Sequence, residues 1–278
     1  MIVEHIKKFI YDNPTIIINI TLCNNNYNFM NTNKTIKINI NYTHTLVKKD
    51  GRDTSVDTPY GEVEDEDNNK YLVRIEEYEE LNESNIVIDY SIPNIINANT
   101  CELFNNFSKK YIYISSSIYD TYFIKDNRHI PILTTFIDTS QPRRATLLSN
   151  IYNLKLPHIN VNNCFNKDDL QILYKNTKIM INIHQTSEHH TFEELRVLPA
   201  LECGIITICE NSPLSESIPY HDYIIWSSYD NIIQQTIEVL NNYDYYHDLI
   251  FVNEKTYKLS EFHNINYFKL SNSIKQHL

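Results

Sequence analysis

The segment from Lys178 to Trp226 most restricts the folds open to this chain. It reads KIMINIHQ, then SEHHTFEELRVLPALECG, IITICEN and SPLSESIPYHDYIIW. The first and third pieces are short Ile-rich runs bounded by polar residues, and between them Phe192, Leu195, Leu198 and Leu201 recur at helical spacing. The local order is strand, helix, strand. Two parallel strands need such a crossover, which packs in the right-handed sense and sets His184 to His190 at the carboxyl edge of the first strand. Ligands of open α/β sheets bind at that edge.

The same alternation extends upstream. Pro142 suits a helix start, and RRATLLSNIYNL places Ala145, Leu148, Ile151 and Tyr152 on one face. HINVNNC reads as a strand, and Asn166 caps a helix through Leu173 with Asp168 and Asp169 in its first turn. YDNIIQQTIEVLNNY supplies a last amphipathic helix, and the residues after Tyr245 read as an aromatic-rich helical tail packed back over the first half. From Arg143 onward this is a Rossmann-like half.

In the first half, residues 1 to 13 form a short helix, and TIIINIT (Thr15 to Thr21) and Thr35 to Tyr42 read as strands. The residues from Thr43 to Lys70 read as a long loop, in which His44, Lys48, Lys49, Asp50, Arg52 and Asp53 are placed to reach a substrate or simply to meet solvent. Asp65 and Asp67 make an Asp-x-Asp triplet after no clear strand, and chance explains it. YLVRIEEY, SNIVIDYS, KKYIYISSS and RHIPILTTF are strand-like, with a helix over NIINANTCELFNNF. Strands alternating with helices give an α/β class, and 278 residues favour two domains, here 1–138 and 139–278.

Composition removes several function classes. A net charge of −11 argues against nucleic acid or an anionic membrane as partner. Five cysteines, odd in number and without paired ligand spacing, indicate neither a disulfide framework nor a zinc knuckle, so a reducing cytoplasm is the expected setting. No run approaches the length of a membrane span. Of the three glycines, Gly51, Gly61 and Gly204, none sits in a strand-to-helix turn, so neither a P-loop nor a dinucleotide fingerprint can be written and no cofactor is expected. A hydrolase elbow is absent too, and an epimerase is disfavoured by the missing dinucleotide motif.

The residues left at the strand edge carry a resemblance. RVLPALECG (Arg196 to Gly204), leading into IITICEN, resembles the donor-binding segment of nucleotide-sugar glycosyltransferases of the GT-B fold. In that family a helix of the pattern R-V-F-E-A-L-A-C-G follows a strand ending in N-x-H, and Asn182, His184, Arg196, Ala200, Leu201, Cys203 and Gly204 match it here. The likeness reaches upstream to the basic pair Arg143 and Arg144 and downstream to about Leu240. It implies two Rossmann-like domains facing a cleft, with a variable acceptor-side domain first and the donor held by the second, and no bound metal. The family's ribose-binding glutamate, five residues before the glycine, is replaced by Pro199. Glu194 and Glu202 instead stand at the E-x7-E spacing of retaining members; the glycine anchor matches more residues and leaves Glu202 at the surface.

Chemistry supports the same edge independently. A helix beginning near Thr191 presents free amides to a pyrophosphate, with His189, His190 and Arg196 adding charge. Two alternatives stay open: Thr191-x-x-Glu194 is also a capping box, and Arg196 is equally suited to an ion pair. The histidines lack a metalloprotease-type arrangement, so no metal site is expected. The reading that results is a glycosyltransferase taking a nucleotide-sugar donor and a glycan-like acceptor, with His44, Asp50 and Asp53 as candidates for a base. The competing class is a non-catalytic nucleotide- or glycan-binding scaffold.

Overall fold

The computed structural model describes residues 1–278 apart from 16–18, 24, 29–33, 42–43, 49–59, 65–67, 76, 188–191 and 253–256; at 26–28, 44–48 and 257 it describes backbone alone. It forms two compact units, Met1–Ser115 with Phe262–Leu278, and Ser116–Glu261. Among the described residues no helix is long and apolar enough to cross a membrane.

The first unit contains α1 (Ile2–Asp12), β1 (Asn19–Leu22), β2 (Asn25–Asn28), β3 (Thr35–Asn41), β4 (His44–Lys48), β5 (Tyr60–Glu64), β6 (Lys70–Ile75), α2 (Tyr78–Asn82), β7 (Ile86–Asp89), α3 (Ile92–Thr100) and β8 (Tyr111–Tyr113). Its main sheet has the order β2-β1-β3-β7-β8, parallel except for the β1–β2 hairpin. Successive residues of β7 enter different cores, as a period of two requires. Ile86 and Ile88 join Ile6, Phe9, Leu270 and Ile274, while Val87 joins Ala98, Phe104 and Phe107.

Two expectations for this unit need correction. The segment from Thr43 to Lys70 is not wholly loop, because β4 and β5 flank β6 in a small antiparallel sheet of order β4-β6-β5. Strand β5, Tyr-Gly-Glu-Val-Glu, alternates exposed and half-buried residues at an edge and so carries little apolar signal. The expected helix over NIINANTCELFNNF ends at Thr100 and is followed by a 3-10 turn, Glu102–Phe107.

The second unit contains β9 (Ile130–Thr134), α4 (Pro142–Asn153), β10 (His158–Asn160), α5 (Lys167–Lys175), β11 (Thr177–Asn182), α6 (Glu194–Glu202), β12 (Ile206–Glu210), β13 (Ile224–Ser227), α7 (Ile232–Asn241) and α8 (Tyr243–Phe251). All five strands are parallel, in the order β10-β9-β11-β12-β13. Ile179, Met180, Ile181, Ile206 and Ile208 are buried on both faces, which is why these strands read as continuous apolar runs. Asn166 caps α5 by accepting from the Asp168 and Asp169 amides, as expected.

The division falls before β9 and not at 138/139, because β9 pairs in parallel with β10 and β11. An apolar run does not disclose which sheet it will join. The last helix, α9 (Tyr257–Gln276), belongs to the first unit from Phe262 onward. There Asn266 accepts from both the amide and the hydroxyl of Ser115, at 3.0 and 3.1 Å.

Helix α4 buries Arg144, Leu147 and Ile151, whereas Tyr152 is 82% exposed, so its inward face is rotated from the expected one. Helix α6 begins at Glu194 with Glu193 as N-cap and is buried almost all round, except that Leu195 is exposed. Steps of three along a 3.6-residue helix drift by about 60° each, so Leu195 and Leu201 stand about 120° apart, on opposite flanks of Leu198. Gly204 ends α6 at φ +73°, with its amide on the Leu201 carbonyl and the Ile205 amide on the Ala200 carbonyl, a Schellman motif.

A Cβ on Gly204 would lie 2.5 Å from the Tyr122 carbonyl oxygen and 2.7 Å from Arg128 Nη2, besides straining the backbone. Gly204→Ala is expected to lower stability by about 2–4 kcal/mol, through strain and displacement of the Arg128 contacts. Urea unfolding followed by circular dichroism measures this; a loss below about 0.5 kcal/mol would contradict it.

Candidate functional site

From β9 the chain passes through α4 to β10 on one side, while β11, on the other side of β9, passes through α6 to β12. Right-handed crossovers running in opposite directions leave on opposite faces of the sheet. The chain therefore parts between β9 and β11, and at this switch point a crevice opens at the carboxyl ends of the strands.

Two arginines flank it. The Arg144 guanidinium, from the first turn of α4, lies 4.9 Å above the ring of Phe136, just beyond β9. Arg196, from the first turn of α6, donates through Nη1 to Oδ1 of Asn182, the last residue of β11, at 3.2 Å. Arg144 is 5% exposed, and no hydrogen bond or ion pair reaches it among the described residues. Burial first, and then the Arg196 charge, lower the Arg144 pKa, while Glu193 and Asp138 act in the opposite sense. A guanidinium stays protonated in proteins, so this is a buried cation beside a second cation.

Arg143 is engaged differently. It meets Glu210, at the end of β12, through Nη1 at 3.1 Å and Nη2 at 2.5 Å, donates to the Thr186 carbonyl, and lies 4.1 Å above the Tyr229 ring. Glu210 also accepts from the His184 amide at 2.9 Å, and the His184 ring is 3.0 Å from the Asn211 carbonyl. This network secures the chain after β11. Its geometry is bidentate and half-buried, the strong form of an Arg–carboxylate contact.

Of the remaining candidates, Glu194 is fully buried and accepts from the Tyr220 hydroxyl at 2.7 Å. The capping-box geometry is corrected: the N-cap is Glu193, which makes no side-chain cap bond, and Glu194 occupies the first helical position. Glu202 is likewise no surface residue. It is 0% exposed at the far end of α6, where its Oε2 accepts from the amides of Ile118 and Tyr119 at 3.0 and 2.9 Å. His44 lies on β4 opposite Ile75. Asp50, Asp53, His189, His190 and Thr191 fall outside the described residues. No group of three or more His, Cys, Asp or Glu suited to a metal occurs among the described residues.

Sequence reasoning overlooked Glu210, Phe136, Glu193, Asp138 and the buried Arg128. Glu210 had a signal, a lone charge closing an apolar strand at the ligand edge. Arg128 had none, because its partners are backbone carbonyls scattered along the chain.

The class these features define is an α/β protein whose second unit is a five-stranded parallel sheet with cations at its switch point. No protein-family model matches the chain. It is similar to the uncharacterized protein R358 of Acanthamoeba polyphaga mimivirus, with 35% identity over 169 residues, 59% of this chain and 56% of that protein. The chain thus spans little more than half the length of this relative.

Burial raises the Glu202 carboxyl to about 7, above its ordinary 4.5, against the opposing effect of its hydrogen bonds. A carboxyl whose folded pKa is raised favours folding below pH 4.5 and loses that contribution as pH rises through 7. The stability of Glu202→Gln relative to wild type should therefore increase from pH 5 to pH 8, by up to about 3 kcal/mol. Urea melts at both values check this; a pH-independent difference would refute it.

Proposed function

We propose that the protein is a glycosyltransferase of the GT-B type that moves a sugar from a nucleotide-sugar donor to a glycan-like acceptor. The observation that carries this reading is Arg144, a buried guanidinium without a hydrogen-bond partner among the described residues, placed with Arg196 across the switch point of a parallel sheet. Burying a guanidinium N–H without a hydrogen-bond acceptor is unfavourable, and a phosphate oxygen of an incoming diphosphate would supply one. The same contacts stabilise the negative charge of a departing nucleoside diphosphate, which is the electrostatic part of glycosyl transfer.

The roles divide among the site residues. Arg144 and Arg196 hold the diphosphate, and Arg143 acts through Glu210 to hold the His184 loop in place. His189, His190 and Thr191 are donor-side candidates in this proposal, and His44, Asp50 and Asp53 are the candidates for a base. The cysteines at 23, 101, 164, 203 and 209 are unbridged, which suits a reducing compartment. A second reading, a nucleotide- or glycan-binding protein without turnover, is favoured by Pro199 in place of the family's ribose-binding glutamate.

A thermal-shift screen with UDP, GDP, dTDP and CMP tests the donor site. A ligand at a hundred times its Kd stabilises the folded state by about 2.7 kcal/mol, so one nucleotide family should raise Tm by several degrees in wild type and not in Arg196→Ala. Release of nucleoside diphosphate from the matching nucleotide sugar then separates transferase from scaffold. Binding without release, over a range of acceptors, favours the scaffold; no shift with any nucleotide refutes the donor site.

A further inference from the structure

Of the residues that α1 buries, His5, Ile6 and Phe9, one is polar. Ile6 and Phe9 join Leu270 and Ile274 of α9 in the core of the first unit. His5 is 2% exposed, and its Nε2 is buried with no hydrogen-bond partner among the described residues. An aliphatic side chain would pack there without the cost of a buried, unpartnered ring nitrogen. The imidazole is thus left wanting a partner that the fold does not supply.

A second imidazole stands beside it. His263 of α9 is exposed, and its ring centre lies 4.8 Å from that of His5, with the ring planes 57° apart. Two imidazoles on one tetrahedral ion, with metal–nitrogen bonds of about 2.0–2.1 Å, have ring centres about 5 Å apart, so the helices already hold the rings at a chelating separation. The two carboxylates of α1 are otherwise engaged. Asp12 accepts from the Tyr267 hydroxyl and pairs with Lys8 at 3.4 Å, and Glu4 pairs with Lys7 at 3.1 Å. Ring nitrogen is therefore the donor that this contact has to offer, which suits ions such as Zn²⁺ and Cu²⁺ and not Mg²⁺ or Ca²⁺, which bind through oxygen.

We propose that His5 and His263 form a two-histidine site for a divalent transition ion of the zinc or copper kind, which ties α1 to α9. The ion takes the Nε2 lone pair of His5, the proton of the neutral ring being on Nδ1, and a ring nitrogen of His263. Water completes the coordination, and the exposed side of His263 gives the ion its entry path. Two protein ligands bind less tightly than the closed four-ligand set of a structural zinc, so occupancy follows the free-ion concentration. The packing of α9 on α1 then becomes metal-dependent by mass action. The site lies within the first unit and does not depend on the glycosyl-transfer reading.

Calorimetric titration of the full chain, carrying no affinity tag, with Zn²⁺, Cu²⁺ and Mg²⁺ tests this. Wild type should take up one equivalent of Zn²⁺ or Cu²⁺ ahead of any further binding, and none of Mg²⁺. His263→Gln changes an exposed position, so its circular dichroism and metal-free Tm should match wild type, while that first equivalent binds about tenfold or more weakly. His5→Phe, which fills the same space without a donor, should lose it too. Saturating Zn²⁺ should raise Tm by several degrees in wild type and in neither variant. Electron paramagnetic resonance of the one-equivalent Cu²⁺ form should show two coordinated nitrogens. The chain has 11 histidines, and equal uptake by wild type and His263→Gln would place the ion at others and overturn the inference. Uptake lost in His263→Gln but kept in His5→Phe overturns the pairing, and so does a single coordinated nitrogen. A response to Mg²⁺ equal to that to Zn²⁺, or no uptake of either transition ion, overturns the site altogether.

Discussion

The second unit depends on one buried cation, Arg128. It is 5% exposed and donates only to main-chain carbonyls: Nε to Ile124 at 2.9 Å, Nη1 to Tyr174 and Thr177 at 3.1 and 2.7 Å, and Nη2 to Cys203 at 2.7 Å. Tyr174 lies in the last turn of α5 and Cys203 caps the end of α6, so the guanidinium sits where two helices direct unpaired carbonyls and negative dipole ends. Thr177 begins β11. A single side chain therefore sets the spacing of α5, β11 and α6, the elements that carry Asn182 and Arg196 to the opposite edge of the sheet. The positive φ of Gly204 serves this arrangement, since any side chain there would meet Arg128.

The four arginines of this unit are all at least partly withdrawn from solvent, and three of them differ sharply in what surrounds them. Arg128 has four carbonyl partners, Arg143 has a bidentate carboxylate, and Arg144 has an aromatic face and no hydrogen bond among the described residues. Two are satisfied by the fold itself. Among the described residues Arg144 leaves its buried Nε without an acceptor, and it does so at the switch point, where open α/β sheets bind ligands. The contrast within one unit is more informative than any one of the three alone.

The parallel order of the second unit was legible in the chain because Ile-rich runs covered on both faces leave an apolar record, as in Ile179 to Ile181 and Ile205 to Ile208. The cap at Asn166 was legible too. Strand β5 was not, since an exposed edge needs few apolar residues, and neither was the assignment of β9 to its sheet, which depends on partners distant in sequence. At the site, residue types were readable and their engagement was not. Nothing in the adjacent letters Arg143 and Arg144 foretells that one meets Glu210 and the other meets only a ring. Their side chains point in directions a hundred degrees apart around α4, and tertiary neighbours decide the rest.

Pro199 bears on this from the other side. It lies inside α6, where it removes the amide that would bond to the carbonyl of Leu195, and Leu195 is exposed, so water can take that place. The proline ring itself is buried among Val197, Leu198, Ala200 and Leu201. A carboxylate at this position would enter the packed surface of a helix covered on nearly every side, at a desolvation penalty with no partner in view. The helix body has thus become core, and polar chemistry in α6 is confined to its ends. At one end, Oε2 of the buried Glu202 accepts from the amides of Ile118 and Tyr119. In the proposed site, recognition of a ligand by this helix is then left to its first turn, which carries Arg196.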